Sequence, residues 1–256
     1  MKKVTAFVGS ARKKHTYDAV EQFLCNLQSM GNIEYEIVRL SDYRLQACRG
    51  CKVCFEKGEE RCPLRDDRDL LIEKMIMSDG IVFASPNYSF HVSAIMKTFL
   101  DRLAFAFHRP CFFGKVFTGI VTQGIYGGNK IVKYLDFVGN GLGFNTVKGS
   151  CIMTLDPMTE KQQHKMDRIL AAQARRYYAR LETPGYPVPT LLDLMLFRMG
   201  RTKMRLMLDD SFRDYTYYRD KGWFESDFYY PARMGLLKKG AGKLFDTMSA
   251  SMTRTR

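Results

Sequence analysis

Apolar and polar positions along the first 180 residues switch between a strand period and a helix period. Lys3 to Val8 is a short β-rich run that stops at Gly9-Ser10, and Thr16 to Met30 then carries Val20, Phe23, Leu24 and Leu27 at helical spacing. A second strand is predicted over Tyr35 to Leu40 and leads into a stretch dense in cysteine. Asp66-Asp67 opens the next helix with acid in its first turn, and Leu70, Leu71, Met75 and Ile76 are its expected buried face. Ile81 to Ala84 is continuously apolar, as a central parallel strand covered on both faces must be. Helices over 93–107, 130–142 and 160–181 alternate with strands over 115–122 and 146–153. Five strands alternating with five helices predict an α/β fold with a doubly wound parallel sheet.

After this pattern, Thr183-Pro184-Gly185-Tyr186-Pro187-Val188-Pro189 reads as an extended connector and a boundary. The predicted organisation is a domain over 1–182, with a cysteine-rich loop at 46–63, and an extension over 183–256 that packs on the core or on another protomer. Leu191 to Leu208 reads as a basic amphipathic helix, and the following stretch holds the chain's one tryptophan, Trp223, amid dense aromatics. Such aromatics bury against something or anchor an interface. Residues from Ser249 onward are expected to fray.

The chain carries 40 basic and 27 acidic residues, a net charge of +13. The excess is spread, with +8 over residues 1–182 and +5 over the rest, and there is no basic stripe or nucleic-acid motif. Anionic cofactors are a sufficient explanation, and no nucleic-acid partner is expected. The opening Met1-Lys2-Lys3 is followed by only a short apolar run, so no signal peptide is read there and a cytoplasmic protein without a membrane span is expected. In that compartment clustered thiols read as metal or redox sites.

Four of the seven cysteines fall within fifteen residues: Cys48, Cys51, Cys54 and Cys62. Three thiols at successive C-x2-C spacings form the compact pattern that holds an iron-sulfur cube, whereas zinc sites usually divide their ligands into two separated pairs. Gly50 supplies backbone freedom for the wrap, and Arg49, Lys52 and Arg61 offset part of the thiolate charge. A redox dithiol and a zinc site are the competing readings of the same cysteines. Cys25 and Cys151 read as small core residues and Cys111 as a surface thiol.

In doubly wound sheets, ligands bind beyond the carboxyl ends of the strands. Three loops fall there. Gly9 to Thr16 joins a strand to a helix N-terminus, where free N–H groups and the Ser10, Arg12 and Thr16 side chains suit a phosphate. This loop has neither the Walker ending nor G-x-G-x-x-G. Pro86, Asn87 and Tyr88 offer backbone groups and an aromatic face to a flat ring, and Gln123, Gly124 and Gly127 let backbone approach it closely. One phosphate loop and two ring-contacting loops suit flavin mononucleotide (FMN). His91, at the end of the second loop (86–91), is read as its ionisable side chain, and a proton donor there competes with a solvent-facing histidine. Asp101 and Arg102 read as ion-pairing rather than catalytic residues.

Gly9-Ser10-x-Arg12 with Thr16, the compact cysteine motif, Asp66-Asp67, Ser85-Pro86-Asn87-Tyr88 and Met96-Lys97-x-Phe99-x-Asp101-Arg102 together carry a resemblance. Over roughly residues 1–180 the chain resembles the iron-sulfur flavoprotein branch of the NADPH-dependent FMN reductase family. The resemblance implies a flavodoxin-like fold, FMN, and a [4Fe-4S] cluster on Cys48, Cys51, Cys54 and Cys62. It also implies phosphate contacts from Ser10, Arg12 and Thr16, and ring contacts from Pro86, Asn87 and Tyr88. The implied chemistry is electron transfer from a donor such as ferredoxin or NAD(P)H to a small-molecule acceptor, in a homodimer or homotetramer. An NAD(P)H-dependent FMN or quinone reductase without a cluster, and a non-catalytic FMN-binding or redox-sensing module, are the alternatives. The seven-residue gap before Cys62 and Lys14-His15 in the phosphate loop depart from the family's commoner pattern.

Overall fold

The structure, a computed structural model, describes residues 1–183 and 185–254. It divides into two compact units, Met1–Arg49 with Leu64–Gly185, and Gly50–Pro63 with the segment that begins at Tyr186.

In the first unit the elements are β1 (Lys2–Val8), α1 (His15–Gln28), β2 (Ile33–Arg39), and, past the cysteine insert, α3 (Arg68–Ile76), β3 (Gly80–Pro86), α4 (Ala94–Arg102), α5 (Ala104–His108), β4 (Val116–Gln123), α6 (Gly128–Gly141), β5 (Asn145–Thr146), β6 (Ser150–Met153) and α7 (Glu160–Leu181). A one-turn helix, α2 (Val53–Glu56), lies inside the insert. All the pairings are parallel, in the order β2-β1-β3-β4, with β5 and then β6 both on β4. The fold is the expected flavodoxin-like α/β arrangement. The reversal of winding between β1 and β3 brings the loops after β1 and β3 side by side, the geometry that makes a ligand cleft.

Every residue of β3 is buried, as its apolar run requires. On one face of the sheet Val20, Phe23, Leu24 and Leu27 of α1 pack with Leu170, Ala174 and Tyr177 of α7. Phe7, Phe83, Phe99 and Phe117 are also fully buried, and Phe83 meets each of the other three at 5.1–5.7 Å between ring centroids. The long helix α7 starts at a reciprocal cap between Thr159 and Gln162, a local signal that fixes its first turn.

Several expectations are corrected. The fifth strand is two pieces, because the chain leaves the ladder at Lys148-Gly149, where the Gly149 N–H donates to Asp136 Oδ1 at 3.1 Å. The helix after β3 breaks at Leu103 into α4 and α5. In α3 only Leu71 and Met75 of the four expected residues are buried, while Leu70 and Ile76 are about half exposed, since α3 is covered along a single stripe. Cys25 is exposed on α1, with Sγ 3.8 Å from Tyr35 Oη, whereas Cys151 is half-buried.

The second unit comprises the insert, α8 (Leu191–Met207), α9 (Arg213–Asp220) and α10 (Leu236–Arg254). Its core is aromatic: Phe197, Tyr218, Trp223, Phe224 and Phe228 are buried, and the Trp223 indole N–H donates to Tyr229 O at 3.0 Å. The insert's α2 packs against α9. The expected frayed end is instead helical through Arg254, with Ser249 buried and its hydroxyl donating to Met199 O at 2.9 Å. Thr255, Arg256 and Pro184 of the connector lie outside the described residues.

Candidate functional site

The three loops predicted from sequence meet in one cleft of about 220 Å³ in the first unit. Ser10, Arg12, Lys14, His15 and Thr16 form one wall, Pro86 to Tyr88 a second, and Thr122 to Gly124 with Thr154 and Asp156 a third. Gly127 stands behind this lining, where it packs near Phe90 and Asn87. Lys14 and His15, set apart in the sequence only as departures from the family's commoner pattern, line the cleft as well, and Thr154 and Asp156 were not singled out because their place depends on strands joined only in the folded sheet.

The first loop is held by close approach. The Gly9 N–H donates to Ala84 O at 2.8 Å, and the Ser93 hydroxyl donates to Gly9 O at 2.5 Å. A Cβ at position 9 would lie 2.8 Å from both Met96 Cβ and Ser93 Oγ, so only glycine fits. Ser10 turns the chain by donating its hydroxyl to Arg12 O at 3.1 Å. The buried hydroxyls of Thr16 and Thr122 share a hydrogen bond of 2.7 Å that ties the first loop to the third. Lys14 precedes α1 without any side-chain cap, so the first N–H groups of α1 remain available at the cleft.

FMN passes a fit test here. The cleft joins a helix N-terminus and hydroxyl groups, which suit a phosphate, to an aromatic side chain and backbone groups, which suit a flat ring. Two buried polar atoms on its wall, His15 Nε2 and Asn87 Oδ1, have no hydrogen-bond partner among the described residues. Asn87 Nδ2 donates to Tyr126 O at 2.9 Å, which fixes the amide with its oxygen free to accept. The same loops expose Tyr88, Phe90, Ile125 and Tyr126. Of these, Phe90 and Tyr126 meet at 5.3 Å. His91 does not line the cleft; it is exposed and rests on Tyr134 at 4.8 Å.

The cysteine insert leaves the carboxyl end of β2. Gly50 and Lys52 both adopt left-handed φ angles, 63° and 61°, so the backbone does wrap sharply between Cys48 and Cys54. Cys48 and Cys51 are exposed, Cys54 half-buried and Cys62 buried. Four thiols are the donor set of an iron-sulfur cluster and fit it chemically. Among the described residues no three His, Cys, Asp or Glu side chains are gathered closely enough to hold a metal ion.

The base of the insert is closed by the same two acids that open α3. Asp66 and Asp67 reach back across the chain: Asp67 Oδ2 accepts the Arg44 N–H at 2.7 Å and Asp66 Oδ2 the Gln46 N–H at 2.9 Å. Asp66 Oδ1 accepts from Arg102 Nη2 at 2.9 Å, and these two side chains are only 1% and 2% exposed. Burial pushes the Asp66 carboxyl up, but the N–H groups of Gln46 and Arg68 and the Arg102 guanidinium outweigh it and hold it below the usual carboxylate range. Asp101 pairs separately with Lys97, one turn away. Thus Asp101 and Arg102 each make an ion pair, but not with one another.

The model of the NADPH-dependent FMN reductase family matches residues 2–155. An iron-sulfur flavoprotein of Archaeoglobus fulgidus is 30% identical over 235 residues, covering 86% of this chain and 99% of that protein. One from Methanocaldococcus jannaschii is 37% identical over 100 residues, covering 39% of this chain and 51% of that protein. Among solved structures, RosB with a bound 8-demethyl-8-formylriboflavin-5'-phosphate intermediate superposes with a TM-score of 0.61 at 13% identity, covering 92% of each chain. At that identity the likeness speaks for the fold. With the family model spanning more than half of the chain, the chain belongs to the NADPH-dependent FMN reductase family, in its iron-sulfur flavoprotein branch, and is a flavin-dependent oxidoreductase.

Proposed function

We propose that this chain is an electron-transfer oxidoreductase that holds FMN in the cleft and a [4Fe-4S] cluster on Cys48, Cys51, Cys54 and Cys62. The observation that carries the flavin part is the convergence of the three loops on one cleft with two unsatisfied polar atoms on its wall. When bound, FMN supplies hydride and single-electron chemistry and a cluster supplies single-electron chemistry. The protein's own residues place these groups. Ser10, Arg12 and Thr16, with the α1 N–H groups, bind the phosphate. Pro86, Asn87, Tyr88, Gln123 and Gly124 would orient the ring, with Asn87 Oδ1 the open acceptor on that wall. No side chain acts as nucleophile or general base. The donor in this reading is a nicotinamide nucleotide or a reduced ferredoxin, and the acceptor a small molecule.

Metal and sulfide analysis of anaerobically purified protein tests the cluster. The expected result is flavin bands together with about four irons and four sulfides per chain. Changing any one of Cys48, Cys51, Cys54 or Cys62 to Ser should lower the iron while Cys25→Ser leaves it unchanged. Full flavin without iron, after attempted reconstitution, overturns the cluster and leaves a flavin or quinone reductase.

A further inference from the structure

The cysteine insert has little structure of its own to hold it in place. Gly50–Pro63 contains the single turn of α2 and a tight turn over Glu59–Arg61, and neither has a buried residue. The gap between Cys54 and Cys62 is mostly charged, with Glu56, Lys57, Glu59, Glu60 and Arg61. An isolated helix shorter than about 12–15 residues is marginal in water. The four-residue α2 is therefore kept by what packs on it. The helix that does so is α9, and the insert and the C-terminal extension form one compact unit. Cys51, Cys54 and Cys62 thus belong by packing to the extension, although the sequence sets them inside the sheet domain.

The extension, by contrast, fixes α9 from within. The chain turns back after α9 at Gly222, whose φ is 67°, and the Trp223 backbone N–H donates to Tyr218 O at 2.9 Å. The indole ring then meets Tyr217, Tyr218 and Tyr229 edge to face, at 5.5, 4.9 and 4.7 Å between centroids. Phe224 takes Tyr215 and Tyr218 of α9 at 4.9 and 5.8 Å. Tyr218 and Trp223 are buried, and aromatic pairs of this geometry add to what their burial alone contributes. Trp223 is the centre of this cluster, and one helix, α9, links it to the turn that carries Cys54.

We propose that the C-terminal extension is the seat of the cysteine insert, with Trp223 the positioning residue that holds α9 and, through it, α2 and Cys54. The consequence for the metal site rests on the cluster reading under Proposed function. Thiols held by the extension take up the cluster, and a loaded insert steadies α9 in return, because coupling between two sites is reciprocal. Metal binding to a site that exists only in the folded arrangement appears as folding stability of that arrangement. The extension is then a working part of the electron-transfer site, acting through Cys54 and its neighbours rather than through the flavin cleft.

The test is iron, flavin and hydrogen exchange on the full chain, purified anaerobically. Trp223→Ala should lower iron at least about fourfold from about four per chain, with flavin kept at the wild-type level. Trp223→Phe, which leaves a ring against the tyrosines, should hold iron as the wild type does. Removing the iron, by Cys54→Ser or by chelation from the wild type, should speed exchange of the α9 amides by about tenfold or more and leave β1 and β3 unchanged. A Trp223→Ala protein that keeps its iron, or that loses flavin along with it, overturns the proposal, as does α9 exchange that is the same with and without iron. If the wild type itself holds no iron, the cluster reading fails and trypsin decides the seat. Trp223→Ala should then be cut at Lys52, Lys57 and Arg61 about tenfold faster than the wild type, and equal cleavage overturns the proposal.

Discussion

Removing the Arg102 guanidinium should loosen the base of the cysteine insert, and the structure sets the size of the effect. In Arg102→Met, Asp66 keeps the N–H groups of Gln46 and Arg68 but loses its charged partner at 1% exposure. Breaking a buried ion pair from one side costs about 3–5 kcal/mol. For a domain of this size each kcal/mol lowers the melting temperature by about 2–4 °C, so a drop of about 6–20 °C is expected. Asp66→Asn should cost less, because the amide oxygen still accepts from the backbone, and the double variant should fall short of the summed losses. The sign of the pH dependence follows from the depressed carboxyl. The stabilisation is complete above the ordinary carboxylate value of about 3.9 and is lost as the pH falls through the lower folded value. The gap between wild type and Asp66→Asn should therefore be constant from neutral pH down to that region and close below it. Trypsin should cut the variants faster at Lys52, Lys57 and Arg61, inside the insert. An Arg102→Met protein that melts within about 2 °C of wild type, with unchanged proteolysis, would refute the clasp.

Two further outcomes follow from single positions. Gly9→Ala forces a Cβ to 2.8 Å from Met96 Cβ and Ser93 Oγ, so it should cost about 1–3 kcal/mol by overpacking and release flavin on dialysis; full flavin retention would count against the cleft as its site. The Cys151 thiol is pushed up to about 11 by burial, so at pH 8 it should resist iodoacetamide while exposed Cys25 is alkylated, as peptide mass mapping will show.

The order of strands and helices was legible because each element carries its own period, and β3 announced its burial by a run without polar residues. The loop after β1 was legible from Gly9, Ser10, Arg12 and Thr16, since a strand that ends in glycine before a helix N-terminus marks a ligand-side loop of such a sheet, and Ser10, Arg12 and Thr16 do line the cleft. Eight of the nine expected FMN contacts line the cleft, all but Gly127. What sequence left open depends on partners distant in the chain. Asp66 does open α3, but its second task shows only when Arg102 and Gln46 are brought beside it. Cys25 and Leu70 look like core residues until one knows which stripe of each helix meets the sheet. Helix α10 contains Gly240 and Gly242, each costing about 1 kcal/mol relative to alanine in a helix. Its formation rests on tertiary contacts, with Asp246 held by two arginines and Gly242 letting Arg198 come close. Local periodicity thus determined the elements and the loops at their ends, because those signals span only a few residues. Burial, pairing and exposed faces were decided by the tertiary structure, because each depends on which distant side chain completes the contact.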